Sequence, residues 1–210
     1  MTEQSLTPRS PAPLETTTVD LAPDAALVVV DVQCGFDEPA WGARDNPDAE
    51  VHVAALLRAW QATSRPVVIV RHDSVHPDSP LAPGGTGNAL KPEVVRLLVR
   101  EPDLLVSKTV NSSFHGSPDL AAWLSGRGIR QVVVCGVQTN FCCETTARVG
   151  ANLGFDVLYV LDATWTYDLP GFSGGTVSAA QLREVTATNL ANEFCRVVST
   201  GTLLAAAAAT

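Results

Sequence analysis

The sequence predicts an α/β protein, a single-domain three-layer α/β/α fold built on a six-stranded parallel sheet. Three observations point there. Six short runs are dominated by Val, Leu and Ile: ALVVVDV from Ala26, PVVIVRH from Pro66, DLLVSK from Asp103, QVVVCG from Gln131, DVLYVLDA from Asp156 and CRVVST from Cys195. The longer of them are continuous rather than alternating, the mark of strands buried on both faces. Helix-patterned segments separate them, which is what right-handed crossovers between parallel strands require. A chain of 210 residues, 46% of them hydrophobic, fits one core rather than two.

The elements follow in order. Residues 1–22 are rich in Thr, Pro and Ser and lack periodicity, so they are expected to form a flexible N-terminal arm, leaving 23–210 as the folded domain. VHVAALLRAWQA places Val53, Leu56, Leu57 and Trp60 on one helical face. LKPEVVRLL predicts a second helix, and PDLAAWLSGRG a third that stops at Gly128. TTARVGANLG and SAAQLREVTATNLANEF complete the helices. No internal repeat and no second domain is visible.

Composition excludes several functions. The net charge is −8 and no Lys/Arg cluster is present, so no nucleic-acid partner is expected. No apolar run reaches the roughly 18 residues a membrane span needs, so no membrane partner is expected either. The first twenty residues lack the apolar core of a signal peptide, which predicts a cytoplasmic protein. Five cysteines are present without a C-x-x-C pair, so neither a zinc knuckle nor a dithiol redox motif is supported. Cys135 and Cys195 read as small buried hydrophobes, and Cys34 as a structural thiol.

In parallel sheets ligands bind beyond the carboxyl ends of the strands. Three reactive side chains lie there: Asp31 after ALVVV, Lys108 closing DLLVSK, and Cys142 past QVVVCG. Cys142 falls in the first turn of a helix starting near Asn140, where backbone N–H groups and the helix dipole favour a thiolate and can hold an oxyanion. Asp31 is placed to accept the thiol proton, provided burial raises its pKa. Lys108 supplies the positive charge that lets carboxylate and thiolate share a pocket. On this reading Asp31→Asn silences the thiol at neutral pH and Lys108→Met raises its pKa.

The stretches ALVVVDVQCGF, KTVNSSFHGSPDL and GVQTNFCCETTARVGANLGFDVLYVLDAT resemble the isochorismatase-like cysteine hydrolases, a superfamily that includes nicotinamidases and N-carbamoylsarcosine amidohydrolases. The resemblance runs from about Ala26 to Thr200. It implies a catalytic Asp–Lys–Cys triad at Asp31, Lys108 and Cys142. The T-N-x-C pattern selects Cys142 over Cys143, which is expected to face the core. It implies a cis peptide at Val137–Gln138, aiming the Gln138 N–H, beside that of Cys142, at an oxyanion. It further implies a homo-oligomer, a dimer or tetramer, acting on a small molecule without a cofactor. The implied reaction is cleavage of a C–N, amide-like bond through a thioester.

Gln33, Phe36, Asn111, Phe114 and Trp165 are expected to line the substrate pocket, the aromatics suiting a planar or ring-bearing molecule. True isochorismatases do not keep the cysteine, so the presence of Cys142 counts against vinyl-ether cleavage. Nicotinamidases carry an Asp-x-His metal pattern. Here Asp73 is followed by Ser74, Val75 and His76, so no metal site is expected. Two alternatives stay open at this point: a metal-assisted nicotinamidase-type amidase using His72, Asp73 and His76, and a catalytically silent binding or assembly scaffold.

Overall fold

The structure is a computed structural model that describes residues 18–209. Six parallel strands form the sheet: β1 (Ala26–Val30), β2 (Val67–His72), β3 (Leu104–Lys108), β4 (Gln131–Val137), β5 (Asp156–Trp165) and, after a two-stranded hairpin of β6 (Leu169–Pro170) and β7 (Thr176–Val177), β8 (Arg196–Val198). The spatial order is β3-β2-β1-β4-β5-β8. The chain therefore builds outward from β1 in one direction and then restarts beside β1 with β4. Such a reversal, beyond the carboxyl ends of β1 and β4, is where sheets of this kind place their ligands.

Side chains of β1 alternate between two apolar layers. Leu27 and Val29 pack with Val53, Leu56, Leu57 and Trp60 of α1 (Ala49–Ala62). Ala26, Val28 and Val30 pack on the other face with Leu120 and Leu124 of α3 (Leu120–Ser125), Ala147 of α4 (Glu144–Asn152) and Ala187 of α5 (Ala179–Asn189). Each fully buried Val or Leu contributes about 1.5–3 kcal/mol, so both layers are needed to hold the sheet. Trp60 satisfies its one polar atom by donating from Nε1 to the Ala25 carbonyl at 2.8 Å. Among the described residues no helix is long and apolar enough to cross a membrane.

Three expectations change. The helix over LKPEVVRLL shrinks to α2, Pro92–Val95. Beyond it the backbone is diverted, because the Gln61 side-chain amide donates to the Leu97 carbonyl at 2.7 Å and accepts from the Val99 N–H at 2.9 Å. A helix the sequence did not announce, α6 (Thr200–Ala208), closes the fold. Its run TGTLLAAAA has almost no polar face from which to read a period. Ser199 caps it, accepting from the Thr202 N–H, and Leu203 and Ala207 join the α1 layer. The expected boundary at residue 22 also differs. Residues 1–17 lie outside the described residues, but Leu21 is buried. Gln131 accepts from the Ala22 N–H and donates to the Asp20 carbonyl, so 20–22 belong to the folded unit.

Gly136 shows how tightly β4 approaches β1. Its φ is +123°, and an added Cβ would run into the carbonyl of Val30. Gly136→Ala is expected to destabilise the protein by about 3 kcal/mol or more, read as a fall in the urea midpoint at unchanged slope.

Candidate active site

Four side chains converge where β1, β2, β3 and β4 end. Asp31 follows β1 directly, and its N–H donates to the Val70 carbonyl at 3.0 Å. Its φ is +55°, a left-handed conformation that costs a non-glycine residue about 1–3 kcal/mol. Lys108 is the last residue of β3, opposite His72 at the end of β2. Cys142 sits in a wide π-type turn, Thr139–Cys143, that leads into α4. The peptide bond Val137–Gln138 entering this turn is cis. The Gln138 carbonyl accepts the N–H groups of Phe141 and Cys143, and the Tyr159 hydroxyl donates to the Thr139 carbonyl at 2.9 Å.

The Lys108 ammonium is the hub. Its Nζ lies 2.5 Å from Asp31 Oδ2, 3.1 Å from His72 Nδ1 and 3.4 Å from Cys142 Sγ. The Lys108 and Asp31 side chains have no solvent exposure. Asp31 Oδ1 is buried and accepts no hydrogen bond.

Burial controls the electrostatics. It raises the Asp31 pKa, with Lys108 opposing. Burial alone would lower the Lys108 pKa, but Asp31 and Cys142 outweigh it and the ammonium is held protonated. The Cys142 thiol is pushed up to about 12 by burial and by the Asp31 charge, against Lys108. His72 falls to about 4, through burial and then Lys108. At neutral pH the site therefore holds a neutral thiol, an ammonium and a neutral imidazole. Against the expectation that the turn favours a thiolate, burial and the neighbouring carboxylate raise the thiol pKa and the ammonium offsets them only in part.

The structure thus brings Asp31, Lys108 and Cys142 together. Gln138, four residues before Cys142, is buried, and its Oε1 has no hydrogen-bond partner. Cys143 is wholly buried in the α3/α4/α5 layer, as expected for a core residue. All five cysteines are free, and the Cys34 thiol donates to the Leu90 carbonyl at 3.7 Å.

The pocket expectations divide. Phe114 is in the same layer as Cys142, stacked on Phe155 at 5.5 Å. Asn111 is exposed in the loop after β3 and takes no part in the cluster. Three residues are held by contacts within the protein. Trp165 is fully buried in the opposite layer, with Arg44 4.5 Å and Lys91 5.2 Å from its ring and its Nε1 donating to the Tyr167 hydroxyl. Phe36 packs beside it on Trp41, and its carbonyl accepts from that same Tyr167 hydroxyl. Gln33 is fully buried and its amide is spent on backbone: Nε2 donates to the His72 and Asn88 carbonyls, and Oε1 accepts from the His72 N–H. These contacts anchor the loops around the site.

His72 was read from sequence only as a polar-loop residue or a metal ligand with Asp73 and His76. Those partners do not converge. Asp73 is held bidentately by Arg71, at 2.8 and 3.1 Å, and accepts from Asn88, while His76 is exposed. Among the described residues the donor set that could hold a metal is Asp31, His72 and Cys142, whose atoms lie within 4.8 Å of one another. The Lys108 ammonium already contacts all three, so the cation position there is taken by the chain itself.

The sheet order and the helical layers place the chain among three-layer α/β proteins whose strand order reverses between β1 and β4. Residues 25–199 match the Isochorismatase domain model, and the chain belongs to the isochorismatase family of hydrolases. It is 34% identical over 179 residues to the isochorismatase family protein YrdC of Bacillus subtilis, covering 85% of this chain and 94% of that one. Nicotinamidase 3 of Arabidopsis thaliana is 30% identical over 184 residues, 83% of this chain and 84% of the relative. The crystal structure of an isochorismatase-family protein from Chromobacterium violaceum superposes with a TM-score of 0.84 at 36% identity, covering 96% of this chain and all of the other.

Proposed function

We propose that the protein is a cysteine-dependent amidohydrolase, cleaving the C–N bond of a small amide-like molecule through a thioester on Cys142. The observation that carries this reading is the Lys108 ammonium, held 2.5 Å from Asp31 and 3.4 Å from the Cys142 sulfur in a site closed to solvent. A thiol with a pKa near 12 is a poor resting nucleophile. It becomes a good one when Asp31, its own pKa raised, takes the proton as Sγ bonds to the substrate carbonyl carbon. Lys108 then balances the negative charge on the developing thiolate and tetrahedral oxyanion. The N–H groups of Gln138 and Cys142 are the proposed oxyanion donors.

As the intermediate collapses, the C–N bond breaks and Asp31 returns its proton to the departing nitrogen. Ammonia or an amine leaves, and the thioester remains. Water then attacks the thioester, giving its proton to Asp31; collapse releases the carboxylic acid and restores the thiol. The sum is amide plus water giving acid plus amine. The nicotinamidase relative supports an amide as the substrate class.

The test is an ammonia-release screen over primary amides, carbamoyl compounds and cyclic amides, run with wild type and Cys142→Ala. Release by wild type alone supports the reading, whereas no release from any amide by either protein favours the silent scaffold. A metal-assisted nicotinamidase-type reaction is the second reading, favoured only by the Asp31–His72–Cys142 donor set. With Lys108 among those donors, activity is expected to survive exhaustive EDTA treatment. Loss on chelation, restored by zinc or manganese, would establish the second reading instead.

A further inference from the structure

We propose that His72 is a positioning residue of this site, fixing the Lys108 ammonium between Asp31 and Cys142 by accepting its third N–H at Nδ1. For its catalytic consequence the proposal rests on the function proposed above; the geometry stands independently.

An ammonium has three N–H donors and no acceptor. The three groups within reach of Lys108 Nζ are Asp31 Oδ2, His72 Nδ1 and Cys142 Sγ, so each donor has one partner. Since Nζ cannot accept, Nδ1 must, and the ring proton of His72 resides on Nε2. The imidazole is therefore neutral by geometry, in agreement with its low pKa of about 4. A protonated His72 would turn an N–H toward the ammonium.

The position of the ring is built, not incidental. The Gln33 amide grips both the N–H and the carbonyl of His72, and the Asn88 side chain donates to that same carbonyl at 3.0 Å. The next residue, Asp73, donates its N–H to the Lys108 carbonyl at 2.7 Å, tying the ends of β2 and β3 together. Two buried amide side chains thus hold one backbone unit, whose side chain has a single polar contact, to Lys108.

The third acceptor has a physical use. Asp31 is by far the strongest partner of the ammonium, and the sulfur at 3.4 Å the weakest. Without an acceptor on the His72 side the ammonium is free to settle onto Asp31 and away from the sulfur. The charged and titratable groups facing His72 are Lys108 from β3, Asp31 beyond β1, Cys142 from the turn, and Asp73, which is paired with Arg71.

The experiment measures Cys142 alkylation by iodoacetamide against pH in wild type, His72→Gln and His72→Leu. Gln keeps a neutral acceptor, and Leu keeps the bulk without one. His72→Leu is expected to shift the profile to higher pH and slow alkylation at pH 8 about tenfold, the scale of one hydrogen bond to a charged group. His72→Gln should stay within about threefold of wild type. A Leu profile that coincides with wild type, or a Gln profile as displaced as that of Leu, would overturn the proposal. Should His72→Leu fail to fold, histidine ¹⁵N shifts of the wild-type protein decide. An Nε2–H tautomer persisting down to about pH 5 supports the proposal, and an Nδ1–H tautomer overturns it. Neither measurement requires turnover. If wild type releases no ammonia from any amide, the hydrolase reading fails while the role of His72 is still decided.

Discussion

Cys142→Ala is expected to reduce amide hydrolysis by at least about 10⁴-fold, because removal of a covalent nucleophile leaves only binding and oxyanion contacts to work. The fold should be unaffected, since the side chain it truncates is small. Its neighbour provides the contrast. Cys143 is wholly buried in an apolar layer, and Cys143→Val exchanges one small apolar side chain for another, at about 1.5 kcal/mol or less and with activity retained. Steady-state ammonia release and urea unfolding on both variants check this. A dead Cys143→Val with a live Cys142→Ala would mean that the nucleophile has been placed one residue early.

The second large effect separates Asp31 from Lys108. Asp31→Asn should lower turnover about 10²–10⁴-fold, the usual range for a general base, yet make the thiol more reactive toward iodoacetamide at pH 7. The sign follows from the charges. Asp31 pushes the Cys142 pKa up and Lys108 pulls it down, so deleting the carboxylate leaves the ammonium unopposed. The sequence alone suggested the reverse, a silenced thiol. Lys108→Met should instead destabilise the fold by about 3–5 kcal/mol, because it strands Asp31 as a buried, unpaired carboxylate. Turnover should vanish with it. Equal alkylation rates at pH 7 in wild type and Asp31→Asn would show that the carboxylate does not govern the thiol.

Much of this architecture is visible in the sequence. The continuous Val-rich runs announced every strand of the main sheet, and asking which reactive groups follow strand ends found Asp31, Lys108 and Cys142. The same question would have found His72, the last residue of PVVIVRH, had it not been read as the start of a polar loop. The contacts of Gln33 were hidden for a different reason. A glutamine two residues beyond Asp31 gives no sign in sequence that its amide holds the backbone of His72, 39 residues away. Trp165 is the last residue of β5, and the sheet alternation turns it into the layer opposite Cys142, under Arg44 and Lys91. The protonation state of the thiol was the least legible property, since burial and one carboxylate decide it and both are set by tertiary structure.

The closed, carboxylate-flanked setting of Cys142 also bears on how the protein withstands its surroundings. Peroxide attacks the thiolate, not the thiol. Burial and the Asp31 charge hold the Cys142 pKa well above the ordinary thiol value, so the thiolate is the minor form at neutral pH. On the proposed mechanism the resting sulfur is a poor target for conversion to sulfenic acid, and a bound carbonyl activates it as its proton passes to Asp31. Reactivity toward substrate and durability in an oxidising medium, which conflict in enzymes that rest as thiolates, would then be reconciled by keeping the proton in place until the moment of attack.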